Sequence, residues 1–310
     1  MGKPVKIIIW SSPRTCSTAL LKCMSSLPNT KVFDELYSIA FLLGPDRLNQ
    51  TSIEEETPYN EPTQDPIHTD KGYAFPSSIC TYNWIKETLQ QDYPDKEIII
   101  SKEIVYCLNH RYDSLPEGYH HVFLLRHPSK VFPSWKKLTY EVLTAIPEFP
   151  SQVPASLDEF VFDHQPPHLL PPGKSFQEGY ELYQYVKENQ LDSNPVIIDA
   201  DDLVQNPAAI MSALCTKLGI PYSDSLLTWK KGTDVVETWT VGTTFKKIIQ
   251  YAPSYENFRN STGFHKTELT KQATTSPKES KITMDIERCV QFSMPFYQKM
   301  YEQRLQISNT

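Results

Sequence analysis

Glycine is scarce in this chain, with 10 residues in 310 against 25 prolines. No GxxxxGK[ST] loop occurs, so the usual cradle for a nucleoside triphosphate, with its Lys-Ser pair, is missing. No apolar run approaches the roughly 18 residues of a membrane span. The six cysteines fall in no CxxC-type spacing, which excludes a zinc knuckle or a dithiol redox motif, and reduced thiols are expected. The start, MGKPVKIIIW, runs straight into a strand pattern without a leader-like apolar segment, so a cytoplasmic protein is expected. Basic charge is also short. The formal net charge is −7, which disfavours nucleic acid and polyanionic polymers as partners and leaves room for a local basic pocket.

What is present is a rhythm. VKIIIW (5–10), KEIIIS (96–101), YHHVFLL (119–125) and NPVIID (194–199) are short, apolar and without polar alternation. That is the pattern of strands covered on both faces. Helical patterns lie between them. Leu20, Leu21, Met24 and Leu27 share one face up to Pro28; others cover 78–91, the stretch after Arg126, 173–190 and 207–220. The order predicts a doubly wound α/β domain with a mostly parallel sheet of four to five strands flanked by helices. Two long stretches, 44–75 and 145–172, interrupt it. They carry aromatics and read as walls of a binding site. A final helix is expected over about 280–304, bent or broken near Pro295.

The loop after the first strand is SSPRTCST, residues 11–18. Strand, tight loop and helix start form an anion site by geometry. Arg14 stands in for the missing lysine, and Ser17 and Thr18 open the helix. An ordinary capped turn is the plain alternative. The third strand ends at Arg126, and Ser134 follows eight residues later. Ligands of doubly wound sheets lie at the carboxyl ends of strands, so Arg126 and Arg14 should share a rim. Arginine suits phosphate through its planar fork. Two such stations suggest a ligand with two anionic groups. The Lys136-Lys137 pair reads as a solvated helix face.

Together the loop PRTCST (13–18) and the Arg126–Ser134 pair resemble the two donor-binding motifs of sulfotransferases that use 3′-phosphoadenosine 5′-phosphosulfate (PAPS), and within them a divergent small-molecule branch with a PRTxST loop. The resemblance implies a P-loop NTPase-like fold in one domain, 1–310, with its core at 5–220. It implies that Pro13, Arg14, Thr15, Cys16, Ser17 and Thr18 hold the 5′-phosphosulfate, and that Arg126 and Ser134 hold the 3′-phosphate. The product would be 3′,5′-adenosine bisphosphate, and the mechanism needs no metal. Departures are clear. Ala19 stands where cytosolic members often carry a stacking tryptophan, and Cys16 where the usual residue is glycine. The Arg-Lys-Gly segment that completes the 3′-phosphate site has no match; Thr262 and Gly263 in RNSTGFHK (259–266) are the local substitute.

The same resemblance implies sulfuryl transfer to a hydroxyl, with an amine as the alternative, of a small acceptor. Glu35 is the expected general base and Asp34 the second choice; a helix-start acid is the plain reading of both. Lys102 matches a lysine that approaches the sulfuryl group, and Arg14 would stabilise the leaving oxygens. The family's histidine base has Ile104 in its place, which leaves Glu103 and His110 as fallbacks. Tyr37, Phe75 and Phe149 are candidate acceptor contacts. Nucleic acid and membrane are not expected partners. A rival class is a small-molecule kinase or nucleotide hydrolase, fed by VIIDADD (196–202) with Asp199 in a Walker B-like place; another is a binding protein that keeps the fold without turnover.

Overall fold

A computed structural model describes residues 2–47, 66–68, 74–145, 153–264 and 282–307. The first half contains β1 (Val5–Ser11), α1 (Ser17–Met24), β2 (Thr30–Asp34), α2 (Leu36–Leu42), β3 (Pro66–His68), β4 (Ala74–Pro76), α3 (Tyr82–Gln90), β5 (Ile98–Ile104) and β6 (His120–Leu125). There follow α4 (Pro128–Ala145), α5 (Phe176–Glu188), β7 (Val196–Asp199), α6 (Ala200–Gln205), α7 (Pro207–Leu218), β8 (Thr240–Gly242), α8 (Thr243–Tyr251), α9 (Glu256–Asn260) and α10 (Met284–Tyr301).

Among the described residues the strands form one sheet in the order β4-β3-β8-β2-β5-β1-β6-β7. The six from β8 to β7 are parallel. β3 and β4 add an antiparallel edge. The α/β class is as expected, but the sheet is wider than four to five strands. β2 was hidden because Thr30 and Lys31 break its apolar run; Lys31 is nevertheless buried, its ammonium 5.2 Å from the centre of the Phe33 ring. β8 is only three residues long, too short for periodicity to show.

Both faces of the sheet are covered. Ile8 and Trp10 of β1 pack with α2, α3, α4 and α5, while Ile7 and Ile9 pack with α1 and α7. Ile7, Ile8 and Ile9 are fully buried, each contributing about 1.5–3 kcal/mol by burial. Gly219 closes α7 with φ of 66°, as a left-handed C-cap requires. Two expectations are corrected. Of the bent or broken helix expected near Pro295, the break is absent: α10 is continuous through Pro295 and packs along α4 and α5. Lys136 is no solvated residue: it is buried and pairs with Asp285 of α10 at 3.0 Å, while Lys137 alone stays exposed. Among the described residues no helix is long and apolar enough to cross a membrane.

Candidate active site at the carboxyl edge of the sheet

Because β2, β5, β1 and β6 run parallel, their carboxyl ends lie on one rim. Those ends deliver Asp34 and Glu35, Lys102 to Ile104, the 12–16 loop, and Arg126. A cavity of about 1320 Å³ opens above them, lined by Pro13, Arg14, Cys16, Ser17, Thr18 and Glu35, among others.

The loop turns sharply without glycine. Arg14 and Cys16 both take left-handed backbones, φ 68° and 65°. Cys16 is the N-cap of α1 and gives no side-chain cap. The conformation accounts for glycine being the more comfortable residue there; a side chain in it costs about 1–2 kcal/mol. Ser17 and Thr18, in the first turn, make no backbone hydrogen bond back to the loop, so their N–H groups remain for a ligand. Thr15 differs from its neighbours. Its hydroxyl donates to the Ser12 carbonyl at 2.9 Å and it is 1% exposed, so it shapes the loop instead of lining the cavity.

The two arginine stations meet. Arg14 Nε donates to Ser134 Oγ at 2.9 Å, and Nη2 to the Ser254 carbonyl at 2.7 Å. Its guanidinium lies 5.2 Å from the centre of the Tyr255 ring. Arg126 Nη1 donates to the Arg14 carbonyl at 3.0 Å, whereas its buried Nε has no partner among the described residues. Arg126 lines the cavity, and a guanidinium that keeps one buried nitrogen without a partner is only partly satisfied by the protein. Thr262 and Gly263 also line the cavity.

α4 forms one long wall. Lys130, Ser134, Leu138 and Val142 recur every four residues and all line the cavity, as does Arg126 just ahead of the helix. Residues at that spacing share a face. The face therefore grades from cationic to apolar. Leu42, Ile104, Tyr106, Trp135, Phe245 and Ile248 add apolar surface to the same lining. Glu35 and Ser38 are the polar groups that α2 adds there.

Glu35 is placed by three neighbours. It stands at the N-cap position of α2 with φ of 59°, and its side chain does not cap. Glu103 does that work from β5, accepting the N–H groups of Leu36 (3.3 Å) and Tyr37 (3.0 Å). Glu35 is thereby free to turn toward the cavity, where Lys102 binds its Oε1; Oε2 has no partner among the described residues. Lys102 also pairs with Asp34 at 2.8 Å, its direct partner in the β2–β5 register. Burial alone would lower the Lys102 pKa, but Asp34 and Glu35 outweigh it and the net shift is upward. Burial pushes Asp34 up to about 6, with Lys102 opposing and Glu35 adding.

Several expected placements are corrected. Lys102 is 1% exposed and does not line the cavity; the two carboxylates hold it below Glu35. Asp34 is fully buried on the far side of that ammonium and is not open to an acceptor. Tyr37 is a core residue whose hydroxyl donates to the Ser114 carbonyl at 2.8 Å. Phe75 lies in β4, where only the backbone is described, and Phe149 lies outside the described residues. His110 is exposed beside Glu181 and away from the cavity. Asp199 caps α6 through the N–H groups of Asp201 and Asp202 and accepts the Tyr297 hydroxyl, which leaves it no Walker B-like place on the cavity. Sequence reasoning missed the walls from Tyr106, Trp135 and 245–258. The four-residue repeat after Arg126 was the available signal for the α4 wall; nothing local announces the others.

Glu103 carries a testable pH effect. Burial pushes its carboxyl from the ordinary 4.5 up to about 8, against the hydrogen bonds from Ser101 and the Tyr37 N–H. The folded chain thus keeps a proton that the unfolded chain releases. That contribution to stability is full below about 4.5 and is lost as pH rises to about 8. Glu103→Gln should flatten the fall in thermal midpoint between pH 5 and pH 8. Equal slopes in both proteins would contradict this placement of the charge.

A family model for the sulfotransferase domain matches residues 189–303. The match spans β7 to α10 and so includes the walls at 200–207 and 245–264. It supports the family read from the two loops. Two curated proteins of Arabidopsis thaliana are similar. Branched-chain-amino-acid aminotransferase-like protein 1 is 26% identical over 239 residues, covering 75% of this chain and 33% of that protein. Branched-chain-amino-acid aminotransferase-like protein 2 is 25% identical over 228 residues, covering 72% of this chain and 31% of that protein. The chain spans about a third of the length of these curated relatives. Among solved structures, the sulfotransferase domain of the Synechococcus PCC 7002 olefin synthase is 18% identical, covering 94% of this chain and 95% of that one, with a TM-score of 0.48. The sulfotransferase domain of the curacin biosynthetic pathway is 17% identical, covering 94% and 98%, at 0.47. A mouse sulfotransferase complexed with PAP is 11% identical, covering 99% and 87%, at 0.42.

Proposed function

We propose that the chain is a sulfotransferase that takes a sulfuryl group from PAPS and places it on the hydroxyl of a small, uncharged, apolar acceptor. One observation carries this reading. A single cavity is lined by Arg14, Arg126 and Lys130, by an apolar wall that includes Tyr106, Trp135 and Phe245, and by Glu35. Its volume of about 1320 Å³ exceeds the roughly 300–1,000 Å³ of a one-ligand site, which leaves room for a donor and an acceptor together.

The donor-binding residues fit the group in charge and reach. Arg126 lines the cavity with its Nε unpaired among the described residues, and the first turn of α1 offers N–H groups beside Arg14. PAPS, when bound, supplies the sulfuryl group and departs as the bisphosphate. Glu35 Oε2 is the base that takes the acceptor's hydroxyl proton, and Lys102 fixes that carboxylate's direction. Arg14 opposes negative charge at the loop, and Tyr106, Trp135 and Phe245 keep water from the acceptor side. Among the described residues the apolar wall offers no cation to an anionic acceptor and few partners to a sugar.

The test is transfer of labelled sulfuryl from PAPS across a panel of aliphatic and aromatic alcohols, amines, sugars and carboxylated alcohols. Turnover should concentrate in the uncharged apolar alcohols. Turnover confined to sugars or anionic acceptors would overturn the acceptor class.

A further inference from the structure

Among the α4 residues on the cavity, Lys130 belongs to neither of the two donor-binding motifs. We propose that Lys130 is a third contact for the second anionic group, the 3′-phosphate, and that Asp201 parks its ammonium when that group is away. The proposal rests on the two-anion reading of the cavity.

Lys130 stands four residues after Arg126 and four before Ser134, and all three line the cavity. Positions four apart on a helix lie about 5–6 Å apart at Cβ. Lys130 and Ser134 are such a pair within α4, and Arg126 lines the same cavity from two residues ahead of the helix, so a group held by Ser134 lies close to the turn that carries Lys130. Charge points the same way. The described cavity lining holds only three cations, Arg14, Arg126 and Lys130. Thr262 and Gly263 bring no charge, and the neighbouring Arg259 is spent on the carbonyls of Ile249 and Ala252, at 3.2 and 2.8 Å. If the second anion needs a further cation, Lys130 is the one in place.

The present partner of Lys130 is replaceable. Its Nζ meets Asp201 Oδ2 at 2.8 Å, with the two side chains 52% and 28% exposed. Exposed pairs of this kind are worth about 0–1 kcal/mol. A phosphate monoester carries about −1.5 to −2 charges and three acceptor oxygens, more than one carboxylate offers. Asp201 also belongs to this end of the cavity. It lines the wall, and it acts on the Cys16 thiol, where burial raises the pKa first, Arg126 and Arg14 lower it, and Asp201 adds to the rise.

Calorimetric titration with 3′,5′-adenosine bisphosphate and adenosine 5′-monophosphate tests this on wild type, Lys130→Ala, Lys130→Arg and Asp201→Asn. Lys130→Ala should weaken the bisphosphate about tenfold, the worth of one charge-assisted contact, and the monophosphate less than about twofold. Lys130→Arg should restore most of the loss. Asp201→Asn should bind the bisphosphate at least as tightly as wild type. Equal weakening of both nucleotides by Lys130→Ala, or none, overturns the role of Lys130 while leaving the two-anion reading intact. A wild type that does not prefer the bisphosphate overturns the two-anion reading itself, and the Lys130 proposal with it.

Discussion

Glu35→Gln should lower turnover by about 10²–10⁴-fold, the usual worth of a positioned general base, while binding of 3′,5′-adenosine bisphosphate stays within about twofold of wild type. The amide keeps the size of the side chain and can still accept from Lys102 through its oxygen. It cannot take a proton from a hydroxyl. The split follows from where Glu35 stands. Its carboxylate lines the cavity at the start of α2, whereas the candidate anion contacts come from the β1–α1 loop, Arg126 and α4. Single-turnover sulfuryl transfer and bisphosphate titration on the same preparation read both halves. A retained rate would remove Glu35 as base. Loss of rate together with loss of nucleotide affinity would show that the variant damages the donor site.

Lys102→Met should lower folding stability by about 3–5 kcal/mol, the cost of leaving buried charge without its partner. Lys102 is 1% exposed and neutralises Asp34, which is fully buried, together with Glu35. Methionine fills similar space, so the loss is electrostatic and not a cavity effect. Two further measurements identify it. Asp34→Asn added to Lys102→Met should recover a large part of the denaturant midpoint. The deficit of the single variant should also shrink at pH 5 relative to pH 8, because Asp34, already pushed up to about 6, is then protonated. A double variant no more stable than the single one would contradict the ion-pair account.

Much of the sheet was legible in the sequence because its central strands are apolar on both faces. Each of β1, β5, β6 and β7 holds three or four consecutive apolar residues, Ile7–Trp10, Ile98–Ile100, Val122–Leu125 and Val196–Ile198, and a run of that kind has few other uses. β2 was not legible. Lys31 interrupts its apolar run, and only the fold shows that Phe33 and Tyr93 shelter the long stem. In the site, the loop at 13–18 and the Arg126–Ser134 spacing were readable, since each is a local pattern at a strand's end. The roles of Lys102, Glu103 and Tyr37 were not. Whether a lysine faces a cavity or lies beneath two carboxylates depends on pairing between β2 and β5, which sequence does not display. Tyr37 was expected among the acceptor contacts, yet it lies in the first turn of α2 and packs into the core. The apolar walls from α8 and α9 come from distant parts of the chain, and no short-range pattern joins them to α4.

The central claim is that the cavity binds a nucleotide with two separate anionic groups. Competition between 3′,5′-adenosine bisphosphate and ATP with magnesium, followed by calorimetry on the wild-type chain, tests it most directly. The account predicts a clear preference for the bisphosphate, by a factor of about a hundred or more, as expected if two charge-assisted stations must both be filled. Preference for ATP with magnesium would contradict it.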